Sequence, residues 1–436
     1  MVVVGEALGR VHRDSWPAVV GATARLTRDL DLAEDCAQEA VERALSAWRT
    51  GVPDNPAAWL TTTARRIALD RLRRDETLRR KLPLLVDRPD SGHDTGDEPE
   101  PADPLRLVFT CCHPALAPES QVALTLRLVC GVPVPAIASV LLAGEAGVAA
   151  RITRAKRKIA AARIPFRVPS DDELPARLDV VLTVVHLVYT AGHADPGAGR
   201  ADPGPALDAV PDRSAPGNPR LTERAIELAR MLVRLLPGEP EARGLLGLLL
   251  LTEARGGART DPDGELVLLT DQDRSAWDDR LTREGLVHAT AALDSAASPG
   301  RFALQSAVAG LHGVAPSWER TDWPRVVTVY DALMRTWPSP VVALNRAVAR
   351  SRVPGTDPAG PLREIDSLVA DPGLARYPYL PAARAELLAR LGRTADAAAA
   401  YADALALSSN PVERRFLTRR VSACAPPPRS PRPATR

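Results

Sequence analysis

Aromatic residues make up only 4% of the 436-residue chain, and alternating apolar–polar runs are almost absent. A sheet needs aromatic and β-branched residues at a period of two. Sheet architectures are therefore excluded, and Ala-, Leu- and Arg-rich segments between Pro and Gly breaks predict an all-α fold. Cysteine is scarce: Cys36, Cys111, Cys112, Cys130 and Cys424 are too few and too scattered for a disulfide framework, which predicts a reducing, cytoplasmic setting. Long apolar runs are missing as well. The longest, GLLGLLLLT at 244–252, falls far short of the ~20 residues that span a bilayer, and MVVVGEALGRVHRD meets charge too early for a signal peptide. No membrane partner is expected. The sequence has no P-loop, dinucleotide fingerprint or nucleophile elbow, so neither an enzyme nor a cofactor is expected.

Two short motifs imitate metal sites. TCCHPAL (110–116) brings together Cys111, Cys112 and His113, but adjacent cysteines rarely share one tetrahedral ion and no second pair accompanies them. Packing at the start of a helix is the expected role. DPDGE (261–265) opens like a calcium loop, lacks the later bidentate Glu, and is expected to be a turn. His186 and His193, in a mostly apolar stretch, are expected to be core residues.

What is present is charge, unevenly distributed. The formal net charge is only +2, yet residues 65–81 carry eight basic against three acidic side chains, and residues 151–167 carry seven basic and none acidic. Between them, residues 87–103 carry seven acidic and one basic. This length predicts roughly two to four domains. A tether with Asp, Gly, Pro and Glu and nothing to bury would separate two basic modules.

In AWLTTTARRIALDRLRR (58–74), helical spacing gathers Leu60, Ala64, Ile67, Ala68 and Leu72 on one side and Trp59, Thr62, Arg66 and Arg73 on another. One side is core; the other is basic and headed by an aromatic, as a phosphate-contacting, base-stacking surface would be. In 146–167, Val148, Ile152, Ala155 and Ile159 make a narrow apolar stripe, with Arg151, Arg154 and Lys158 on another face. A short helix opened near Pro135 and ended near Gly144 precedes it, the layout of a helix-turn-helix. Further upstream, DLAEDCAQEAVERALSAW (31–48) sets Leu32, Cys36, Ala40, Ala44 and Ala47 against Asp35, Gln38, Glu39 and Glu42.

These elements in this order resemble the extracytoplasmic-function (ECF) sigma factors of the sigma-70 family. DLAEDCAQEAVERAL followed by NPAAWLTTTARRIALDRLRR resembles their region two, and residues 119–163 resemble region four. DPLRLVFTCCHPALAPESQVALTLRLV and the long C-terminal part resemble the subgroup with a tetratricopeptide-like extension. The resemblance implies a factor that binds core RNA polymerase and directs promoter-specific initiation, with activity modulated by that extension. It implies core-polymerase contacts at Asp35, Gln38, Glu39 and Glu42, −10 contacts at Asn55, Trp59, Thr62, Arg65, Arg66 and Arg73, and −35 contacts at Arg151, Arg154, Arg157 and Lys158. At Arg66 the sequence departs from the Asn common in related factors. The acidic linker would run in the polymerase channel.

The organisation expected is region two at 1–81, linker at 82–104, region four at 105–167, helical array at 168–420 and a disordered tail at 421–436. In ARAELLARLGRTADAAAAYADALALSSNP (383–411) small residues and Leu-Gly, Tyr, Ala-Leu and Pro fall at tetratricopeptide spacing, and VALNRAVAR (342–350) opens an earlier unit. The array's partner is expected to be a protein segment or the sigma module itself. A stand-alone DNA-binding regulator with a tetratricopeptide sensor is the alternative; it would have no use for the acidic face at Asp35, Gln38 and Glu39.

Overall fold

The computed structural model describes residues 8, 15–81, 103–193 apart from 142, and 219–424 apart from 262, 264, 296, 297 and 409. The expected tether, up to residue 102, and the tail from residue 425 lie outside the described residues. The chain is all-α. Eighteen helices occur among the described residues, and the one extended pairing there is an isolated bridge between Thr260 and Leu266. Two compact units divide it, Met1–Val188 and Tyr189–Arg436.

In the first unit, α1 (Trp16–Thr27), α2 (Leu30–Ala47) and α3 (Pro56–Lys81) form one cluster. Asp29 caps α2, accepting from the amides of Asp31 at 2.8 Å and Leu32 at 3.1 Å. Asn55 does the same for α3, through Ala58 N at 3.1 Å, with Pro56 at the first helical position. Next come α4 (Asp103–Cys111), α5 (Pro118–Leu128), α6 (Val134–Val140) and α7 (Glu145–Ala161), and then α8 (Leu174–His193), inside which the boundary between the units falls.

Two expectations change here. The linker was expected to run through residue 104, yet α4 begins at Asp103, whose fully buried carboxylate pairs with Arg25 Nε at 3.2 Å and Arg106 Nη1 at 3.0 Å. A buried charge persists only when paired, and two guanidiniums hold it. Gly21 of α1 lets the chain approach, since a Cβ there would stand 2.7 Å from the Asp103 carbonyl oxygen. The two basic modules are therefore packed together, where the sequence suggested modules joined only by a tether.

The second unit contains α9 (Pro219–Leu235), α10 (Pro240–Ala254), α11 (Asp279–Asp294), α12 (Arg301–Val314), α13 (Trp323–Thr336), α14 (Pro340–Arg352), α15 (Ala359–Ser367), α16 (Tyr379–Arg390), α17 (Thr394–Leu407) and α18 (Pro411–Cys424). The apolar run at 244–252 is buried within α10. Gly244 and Gly247 admit its neighbours: a Cβ would lie 2.5 Å from Ala303 N of α12 at the first and 2.9 Å from Ala289 N of α11 at the second. Glu241 caps α12 through the amides of Phe302 and Ala303, at 2.9 and 3.0 Å. The expected tetratricopeptide pair at 383–411 corresponds to α16 and α17, joined at Gly392 with φ 74. Residues 421–424, expected in the tail, are helical, and Val421 and Cys424 of α18 pack on the core of this pair.

Candidate nucleic-acid interface

Helical geometry sorts the α3 side chains into two sides. Leu60, Thr61, Ala64, Arg65, Ile67 and Ala68 are buried, whereas Thr62, Arg66 and Arg73 are exposed. Arg65, expected among the −10 contacts, is only 8% exposed and belongs to the inner side, one turn from Thr61 and Ala68. Trp59 heads the exposed stripe but is half-buried, its ring edge-on to the buried Trp48 at 5.5 Å. Part of the indole is thus committed to packing, which fixes the orientation of the rest. Asn55 is exposed, with its carbonyl oxygen engaged as the helix cap.

On α7 the same sorting leaves Arg154, Arg157 and Lys158 exposed and Arg151 half-buried, opposite the buried Val148, Ile152, Ala155 and Ile159. Gly144 starts this helix after the short α6, so the helix-turn-helix order expected from the sequence is present.

Lys156 departs from its basic neighbours. It is buried, and its ammonium donates to Asp31 Oδ1 at 2.8 Å and Glu34 Oε2 at 2.7 Å on α2. Glu34 also receives Arg127 Nε of α5 at 2.5 Å and Gln38 Nε2 at 3.0 Å. Burial disfavours the Lys156 charge, but Glu34 and Asp31 outweigh it and its pKa stands above the ordinary lysine value. The helix of Asp35, Gln38, Glu39 and Glu42 is thereby fastened to α5 and α7. Within that acidic face Asp35 and Glu42 are exposed, while Gln38 and Glu39 are half-buried. Glu39 takes Arg43 and Arg71 at 2.6 Å each. Burial pushes its carboxyl up, yet those two hydrogen bonds prevail and hold the pKa below the usual carboxylate value.

Comparison with known proteins decides the family. Residues 13–77, which hold α1 and most of α3, match sigma-70 region 2. The chain is also 30% identical over 164 residues to the probable ECF RNA polymerase sigma factor SigI of Mycobacterium tuberculosis, covering 36% of this chain and 55% of that protein. The chain belongs to the ECF sigma-70 family. This sigma factor carries a C-terminal extension, in which residues 177–293 match a family of unknown function (DUF6596). An uncharacterized protein of Rhizobium meliloti is 40% identical over 422 residues, 94% of each chain, and so spans both units. No solved structure matches the chain. Proteins of the sigma family initiate transcription and are not enzymes.

The metal imitations resolve into local structure. Cys111 and Cys112 are buried at the end of α4, where a helix start was expected, and burial pushes both thiols up, Cys112 to about 12. His113 Nδ1 accepts from Ala115 N at 3.2 Å. Asp261 Oδ1 closes a turn by accepting from the amides of Asp263 and Glu265, at 3.0 and 2.8 Å. Among the described residues no cluster of three or more His, Cys, Asp or Glu is placed to hold a metal ion. His186, expected in the core, is half-buried, and the side chain of His193 lies outside the described residues. No described helix is long and apolar enough to cross a membrane.

Asp31, Glu34, Arg127 and Lys156, which join the two modules, escaped the sequence reading. Their one signal was Lys156 falling next to the apolar stripe of α7, beside Ile152 and Ala155.

Proposed function

We propose that this sigma factor binds core RNA polymerase through the acidic face of α2 and directs promoter-specific initiation through α3 and α7, with its helical extension modulating that activity. The observation that supports this most strongly is three charged faces on one unit of a sigma-family chain. Asp35 and Glu42 lie on the first, Trp59, Thr62, Arg66 and Arg73 on the second, and Arg151, Arg154, Arg157 and Lys158 on the third. Arginines on the last two neutralise promoter phosphates and reach base edges. The remaining face of Trp59 stacks on a base where the strands part. Arg65, being buried, supports α3 from within. Core polymerase engages Gln38 one turn from Glu34, in the same network that fastens α7.

The first part of α8, up to Val188, belongs to the first unit. Arg177 of that helix donates to the Phe109 carbonyl of α4 at 2.7 Å, with its guanidinium 6.0 Å from the Phe109 ring centre. A chain ending at Arg167 loses this tie; it retains core binding and loses promoter activity.

The acidic face is tested by titrating core polymerase with the chain carrying Asp35→Ala and Gln38→Ala. Affinity is expected to fall at least about tenfold with the helical circular-dichroism spectrum intact. Equal affinity contradicts the proposal.

A further inference from the structure

The second unit contains a partly open cavity of about 190 Å³. One wall is the succession of α14, α16 and α18, and the other is the segment 259–272, which carries the isolated bridge between Thr260 and Leu266. That segment is strapped down by Glu265, which takes Arg415 Nε at 2.7 Å and Arg419 Nη1 at 2.6 Å on α18. Leu344, Val348, Ala383, Leu387 and Leu417 make much of the lining apolar.

The polar part of the lining centres on Glu386. Glu386 is shared by two guanidiniums and a phenol, Arg352 Nη2 at 3.3 Å, Arg420 Nη2 at 3.3 Å and Tyr401 Oη at 3.4 Å. All three contacts are at the long end for hydrogen bonds, longer than charge-assisted pairs adopt when nothing else competes for them. The Nε atoms of Arg352 and Arg420 are buried and have no hydrogen-bond partner among the described residues, and the same holds for Gln272 Oε1 on the strap. Arginines beside an apolar cavity, held to Glu386 only by long contacts, are suited to a carboxylate.

We infer that this cavity is a binding site for a small organic anion, an apolar body ending in a carboxylate, which seats its charge between Arg352 and Arg420. The lining carries Arg255, Arg259, Arg352 and Arg420 against Glu386 and Glu413, an excess of positive charge that favours an anionic ligand over a neutral one of the same shape. Size sets the other limit. A cavity of roughly 150 Å³ takes the six carbons of benzene, so about eight non-hydrogen atoms fit. The inference concerns the second unit alone and stands whether or not the promoter reading does.

The test uses the full-length protein and two probes of one chain length in isothermal titration, hexanoate and hexanol. Hexanoate is expected to bind one site per chain with Kd on the order of 0.1 mM, and hexanol at least about tenfold more weakly. Arg420→Gln, at a position already half exposed, is expected to remove the preference for the acid over the alcohol. Ala383→Phe, which fills the cavity, is expected to abolish binding of both. Equal binding of acid and alcohol by the wild-type protein overturns the inference, as does absence of hexanoate binding, and neither reading depends on a variant folding. Hexanoate bound equally by the wild-type and Arg420→Gln proteins, both folded by circular dichroism, overturns the assignment of the anion to this arginine pair.

Discussion

Arginine plays opposite parts in the two units. On α3 and α7 it stands outward at helical spacing, with Arg66, Arg73, Arg154 and Arg157 exposed. In the C-terminal unit it turns inward, where Arg255, Arg259, Arg352 and Arg420 line one cavity and the first two are buried. An outward stripe addresses a long polyanion that arrives from solvent and is sensitive to salt. An inward cluster addresses one small ligand at a fixed place. The residue type alone does not distinguish these uses; the partner atoms do.

The comparison breaks most readily at α7. Replacing both Arg151 and Arg154 with Ala is expected to lower −35-dependent initiation by about 100-fold or more, since each base contact is worth ~1–3 kcal/mol. The thermal unfolding profile should stay unchanged, because neither side chain belongs to the buried set of the helix. A large loss of stability would move these arginines to the inward class.

Lys156 sharpens the contrast from the same helix. Lys156→Met is expected to destabilise the first unit by about 2–3 kcal/mol, less than the full cost of a stranded buried charge because Arg127 still reaches Glu34. Denaturant unfolding followed by Trp fluorescence measures this. A neutral effect would mean that the ion pairs between the modules contribute nothing.

In the second unit, His312 supplies a pH dependence. It is buried, 5.9 Å from the ring of Trp318 and 5.4 Å from that of Trp323, and burial, with Arg255 and Arg274 nearby, lowers its pKa to about 3. The unfolded imidazole titrates near its ordinary value of about 6.5. The folded pKa being lower, stability is fully present above the unfolded value and falls as pH drops below it. Between pH 7 and pH 5 the loss from this group is about 2 kcal/mol. His312→Gln should flatten the unfolding profile over that interval, and an unchanged slope would assign the dependence elsewhere.

The smallest expected effect is at Trp59. Trp59→Ala should leave closed-complex binding intact and slow strand opening about tenfold, the worth of one stacked base, read by permanganate reactivity. Equal losses at both steps would deny the stripe its separate role.

Legibility followed the same division. The stripes on α3 and α7 were readable because consecutive residues of one helix carry them and 3.6-residue periodicity projects them onto one side. The burial of Arg65 was not, since it stands between Ala64 and Arg66 at the margin of both sides and tertiary packing decides. The pairing of Lys156 with Asp31 and Glu34 joins residues more than 120 positions apart, as its sequence separations of 125 and 122 record. No local pattern carries such a pair. The cavity is assembled from α14, α16, α18 and a strap some seventy residues upstream of the nearest of them, so its arginines read as ordinary helix surface until the chain folds. Asp103 went unrecognised because the acidic composition around it hides one buried carboxylate among solvated ones.

The central claim is that the first unit is a promoter-recognition module working with polymerase. Its most direct test is run-off transcription by core RNA polymerase, with the purified protein added, from templates selected by genomic binding sites of this chain. The account predicts specific initiation that requires the protein and disappears when Arg151 and Arg154 are both Ala. Binding to those templates with no protein-dependent initiation would contradict it and favour a regulator that acts without polymerase contact.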